Sequence, residues 1–237
     1  MMHKGLTTAE QDAVRPALER IRVLLPRLGI DANRAAYGRC FDEVEDAILR
    51  GEWATARKVL TKCTSLLSDQ KRDARERGDC ELADRLLRDA LVLGAKEKLC
   101  LVIERWDQGH FGNAWEALAR AHFNLSAVAR NGGGQVAASW DHFVAECEHR
   151  FPPIVGFSIG GEVASARCSI CGQDVLSCSH VTGRIYCGVL CCREIRQVDL
   201  HEVSMVKDPA QPAARALKWG RTEVGAEGLF WDEGEGR

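Results

Sequence analysis

The sequence predicts an α+β protein, an antiparallel helical bundle followed by a small β module. Three observations predict it. Residues 7–149 read as successive helices with apolar residues at helical spacing, separated by glycine stops. After Arg150 the texture changes to Pro, Gly and alternating apolar residues. Six of the 11 cysteines then fall between residues 168 and 192. The chain divides accordingly into a helical docking domain (1–150), a β module (151–212) and a flexible tail (213–237).

The first helix opens at Thr7 with Glu10 three residues on, a capping-box pattern, and buries Val14, Leu18, Ile21 and Leu25. Pro26 and Gly29 stop it. The second runs from Asp31 to Arg50, with Phe41, Val44, Ile48 and Leu49 as its buried stripe, and Gly51 ends it. The third spans Glu52 to Arg77 and the fourth Asp79 to Asp107, with Leu82, Leu86, Ala90, Leu93, Leu101 and Ile103 inward. "FGNAWEALARAHFNLSAVAR" is the fifth; after "NGGG", "QVAASWDHFVAECEHR" is a short sixth.

A short phrase recurs at the helix starts: "GEWATARKVL", "GDCELADRLL" and "GHFGNAWEAL". It resembles the Gly-aromatic-Ala phrase of tetratricopeptide hairpins, although the intervals are unequal. Either arrangement implies that Trp53, Phe111 and Trp115 anchor packing between helices. Asp141–His142 and His110 could be offered as acid–base groups, but isolated histidines on helix surfaces are ordinarily inert. Cys40, Cys63, Cys80, Cys100 and Cys147 read as small buried hydrophobes.

In the β module, "IRQVDLHEVSMV" alternates as a strand or a bulged pair of strands through Ile195, Val198, Leu200, Val203 and Met205. About 60 residues make a thin core, so a metal staple is physically sensible. Cys168 and Cys171 form a Cys-x-x-Cys turn followed by Gly172; Cys178 and His180 form a second turn followed by Gly183. Three thiolates and one imidazole suit one structural Zn²⁺ per chain, and they close its tetrahedron. A catalytic zinc needs an open position, and deaminase-type sites need a His-x-Glu unit that "SHVTG" lacks. Cys187, Cys191 and Cys192 read as packing residues, with two alternatives open: one of them replaces His180, or a second site forms with His201.

"FPP…GFSIGG…CSICGQDVLSCSHVTGRIYCG…DLHEVSMVKDPA" resembles the C-terminal module of a family of uncharacterised bacterial proteins, over residues 151 to about 210. The resemblance maps the metal ligands to Cys168, Cys171, Cys178 and His180 and implies no activity. "GFSIGG" and "LHEVSMVKDPAQPAA" also look like two strands of tailed-phage prohead maturation proteases, which would make Ser158 a nucleophile. No upstream His sits in the strand context that family uses, and a serine without its base is only a hydroxyl.

A formal net charge of -2, with 28% charged residues, gives no electrostatic argument for nucleic acid or a membrane. Arg167, Arg184, Arg193 and Arg196 surround the metal loop and keep a nucleic-acid alternative open. The N-terminus lacks the apolar run of a signal peptide, and no stretch approaches a spanning helix. The expectation is a soluble, cytoplasmic, non-enzymatic adaptor with a protein partner, in a bacterial defence or phage-related setting. The alternatives are a Ser158-dependent hydrolase and a zinc-module nucleic-acid binder. The tail's Trp219, Phe230 and Trp231 leave room for a docking peptide.

Overall fold

In the computed structural model, the structure describes residues 6–28, 34–151, 156–206, 218–221 and 227–230. Six helices precede three two-stranded sheets: α1 (Thr8–Leu24), α2 (Arg34–Leu49), α3 (Trp53–Glu76), α4 (Cys80–Asp107), α5 (Phe111–Arg130) and α6 (Gly134–Arg150). The strands are β1 (Gly156–Cys168), β2 (Ile185–Tyr186), β3 (Val189–Leu190), β4 (Arg193–Val206), β5 (Lys218–Arg221) and β6 (Glu227–Phe230). The α+β class and the helical N-terminal bundle are as the sequence predicts.

α1 begins with the expected box: Thr7 Oγ1 accepts from the Glu10 N–H, and the Thr7 N–H donates to Glu10 Oε2 at 2.7 Å. Pro16 lies inside the helix on its exposed face, where the carbonyl left without an N–H partner can be hydrated. A short 3-10 turn, Leu25–Arg27, ends the element. The buried Lys96 of α4 donates there to Leu28 O at 3.1 Å and Pro26 O at 3.4 Å. Burial lowers its pKa.

α2 to α6 pack as successive antiparallel neighbours, and α1 lies against α6 and α4. The recurring phrase has a conformational origin. Gly51, Gly78 and Gly109 each take a left-handed φ, of 72°, 76° and 76°. At each, the glycine N–H and the next N–H bond back into the finished helix, as with Gly78 N to Arg75 O and Asp79 N to Ala74 O, both 2.9 Å. The motif turns the chain sharply enough for the next helix to run back. Trp115 is buried; Trp53 and Phe111 are half-buried, Trp53 against the core and Phe111 edge-on to Trp106 at 4.7 Å.

Two side chains depart from expectation. Leu49 is 73% exposed, whereas Val44, Ala47 and Ile48 are buried and Phe41 packs against the core, because residue 49 lies a hundred degrees around the helix from 48. Cys80 is exposed rather than buried, since the first position of α4 lies at an end of the bundle. It is bonded to Cys187. At the other end Phe151 packs its ring against Trp106 and Trp115, so the helical core extends through residue 151.

β1 and β4 form a long antiparallel ribbon, and β2 and β3 a small hairpin between them in sequence. In the tail, read from sequence as flexible, the backbones of β5 and β6 pair with Trp219 opposite Leu229. The remainder of 207–237 lies outside the described residues, as does the "FPP" start beyond Phe151.

The β module seats on the bundle through a few specific contacts. Asn131, just after α5, donates to Gly183 O at 2.8 Å and accepts from Ile185 N at 2.9 Å. Arg184 donates to Arg130 O at 2.9 Å. The Gly188 N–H meets Asp84 Oδ1 on α4 at 2.5 Å, and a side chain at Gly188 would press on Ala83 and Lys71.

Candidate metal centre

Cys168 is the last residue of β1, and the chain turns there at once. Gly172 N donates to Cys168 O at 2.8 Å, with Gly172 at φ +70° closing the turn. That brings the Cys171 thiol back beside Cys168. A second turn carries Cys178 and His180. Cys171 Sγ lies 3.5 Å from Cys178 Sγ, and Cys178 Sγ lies 3.2 Å from His180 Nδ1. The donor atoms of Cys168, Cys171, Cys178 and His180 all fall within 4.8 Å of one another, so the group could hold a metal ion. The structure therefore assembles all four sequence-predicted ligands in one place.

The backbone supports the cluster. The Ile170 N–H points at Cys168 Sγ (3.4 Å) and the His180 N–H at Cys178 Sγ (3.2 Å). The His180 ring stands edge-on to Tyr186 at 4.7 Å, and the Tyr186 hydroxyl accepts from Val181 N. N–H groups of Cys171 and Ile170, with help from neighbouring thiols, hold the Cys168 thiol at about 6, which favours its thiolate. At Cys178 the His180 N–H also pulls downward, but burial and the thiols of Cys171 and Cys168 outweigh it and leave Cys178 at about 11. Several thiolates cannot coexist at this spacing without a cation between them.

The other clustered cysteines have separate fates. Cys187 is bonded to Cys80 and is no ligand. Cys191 is buried with its Sγ 3.8 Å from Cys168 Sγ, beside the four-donor group but outside it. Burial pushes it up to about 11. Cys192 is exposed, and its backbone clasps Ser169 in both directions. His201 sits at a bulge far along β4, away from this group. A cavity of about 250 Å³ borders the cluster, walled in part by Thr182, Cys191 and Arg193.

The remaining sequence candidates are dispersed. Ser158 lies opposite Ser204 in the ribbon, and among the described residues no hydrogen bond links it to a histidine. Of the four arginines, Arg184 is tied to Arg130 O, Arg193 to Thr182 Oγ1 and Arg196 to Glu194. His110 and His142 are exposed. Asp141 belongs instead to a network that sequence reading missed. His122 on α5 places Nδ1 2.8 Å from Glu148 and Nε2 3.3 Å from Asp141, both on α6, and Ser126 donates to Asp141. Ser126 and His122 both address Asp141 Oδ1, and among the described residues no hydrogen bond joins the serine directly to the imidazole. The network's signal was present only as helical spacing of polar residues on two facing helices.

Comparison with family models, with curated proteins and with solved structures found no match. Among the described residues, no helix is long and apolar enough to cross a membrane.

Proposed function

We propose that this chain is an interaction protein whose β module is held by one structural Zn²⁺, on Cys168, Cys171, Cys178 and His180. The observation that carries the reading is the donor set. Tetrahedral zinc with bonds near 2.3 Å to sulfur spaces its ligands about 3.8 Å apart, and somewhat less where nitrogen replaces sulfur. Cys171 Sγ and Cys178 Sγ at 3.5 Å, and Cys178 Sγ and His180 Nδ1 at 3.2 Å, lie slightly inside that spacing, and all the donor atoms fall within 4.8 Å of one another. Four protein ligands leave no position for a reactive water, which argues for a structural role.

The ion's place in the fold supports the same reading. It would clamp the base of the β1–β4 ribbon, where Cys168 pairs with Arg193, while the ribbon itself extends into solvent. The bundle offers a second broad surface. Purified protein is expected to carry one zinc per chain by elemental analysis; well under one, with free thiols, refutes the metal assignment. A captured protein partner should remain bound at moderate salt. Binding that collapses steeply with salt and is released by nuclease would replace this reading with the nucleic-acid one.

A further inference from the structure

The β1–β4 ribbon has two unlike faces. On one, cross-strand pairs run Phe157–Met205, Ile159–Val203, Gly161–Leu200 and Val163–Val198. On the other they run Ser158–Ser204, Gly160–Glu202 and Glu162–Asp199. Six side chains of the apolar face are exposed, while Phe157 at its end is half-buried: Ile159 and Val203 are each 64% exposed, Met205 62%, Leu200 59%, Val163 51% and Val198 43%.

The backbone is shaped to make that face continuous. Strict alternation would put Leu200 on the side opposite Val203. The ladder skips His201, so Gly160 and Gly161, neighbours on β1, meet Glu202 and Leu200 on β4. The bulge returns Leu200 to the apolar side. It also requires glycine at 161, where a Cβ would lie 2.3 Å from Asp199 O. An isolated two-stranded ribbon is at best marginally stable in water, so an apolar face this regular needs a cover.

We propose that the cover is the same face of a second copy of this chain. The face is self-complementary. Leu200 is a knob directly across the ladder from Gly161, a notch. Two copies related by a two-fold axis along the ribbon set each Leu200 over the other's Gly161, with Ile159 over Val203 and Val163 over Val198 on either side. That is an isologous interface closing a four-stranded sandwich. The six exposed side chains offer roughly 500–600 Å² per copy and about 1,000–1,200 Å² in the pair, which reaches the lower bound for a specific interface. The inference does not depend on the identity of the metal or of any other partner.

Sedimentation velocity on the full-length chain with its metal bound tests it. The wild type is expected to sediment as a dimer at tens of micromolar. Leu200→Asp and Val203→Glu each place a charge in the interface twice and should weaken the dimer by at least ~100-fold. Ser204→Asp, on the polar face, should leave it dimeric. Unchanged zinc content and far-UV circular dichroism establish that the variants are folded. A wild type that stays monomeric throughout would assign the face to residues 207–237 or to a different protein, and overturns the proposal. So does a dimer indifferent to Leu200→Asp and Val203→Glu.

Discussion

Cys168 and Cys171 share a turn but not an environment: the first is buried and the second exposed. Replacing the exposed one should therefore remove a ligand with little loss of packing. Cys171→Ser is expected to drop bound zinc well below one per chain, whereas Cys191→Ser should keep it near one; elemental analysis reads both. His122 supports a different prediction. The hydrogen bond to Glu148 raises its pKa above 6.5, Asp141 adds to this, and burial and Arg130 oppose it. A group raised on folding contributes its full stability below its unfolded value, near 6.5, and loses it as pH climbs through the folded value. His122→Gln should thus lower the thermal midpoint more at pH 6 than at pH 8.5. The four clustered donors were legible because the Cys-x-x-Cys turn of Cys168 and Cys171 and the short turn of Cys178 and His180 are purely local signals. His122 and Cys80 were not, because their partners lie on other elements and only tertiary packing brings them together.

The helices were legible for equally local reasons, since several of their ends carry a glycine or a capping side chain, as at Thr7, Gly51, Gly78, Asp79 and Gly109. What the spacing concealed was how α4 is surrounded. Its buried residues include Asp89, Lys96 and Glu97 beside Leu93, Leu99 and Ile103, so no single stripe marks its inner face. Arg57 of α3 reaches Glu97 at 3.1 Å and Glu104 at 2.7 Å, which explains how Glu97 is tolerated in the centre. In β4 the alternation announced a strand, but not that its apolar side would lack a layer of this chain among the described residues. The seat of the small hairpin rests on Asn131, whose amide satisfies one donor and one acceptor of the module at once. Asn131→Ala should cost about 1–3 kcal/mol locally. Hydrogen exchange should then show faster labelling around Gly183–Ile185, with the centre of α4 unchanged; equal loosening in both would mean the module and bundle open together.

The molecule as a whole joins a large apolar core to a module with little core of its own. Among the described residues of the module, only Ala166, Cys168 and Cys191 are buried hydrophobics. Chelation is therefore expected to disorder the metal turns while far-UV circular dichroism retains the helical signal. A single transition that takes the helices as well would show the halves to be one cooperative unit. The bond between Cys80 and Cys187 bears on the opposite end of that reaction, the denatured chain. It spans 107 residues, enclosing nearly all of α4, both following helices and the metal turns. On a chain-entropy account, a closed loop of that length denies the denatured ensemble about 4–5 kcal/mol of configurational freedom. Reductant should accordingly lower the denaturant midpoint even at positions remote from either cysteine. The cross-link thus acts by impoverishing the random coil, and its influence reaches every residue whose unfolding would need that lost freedom.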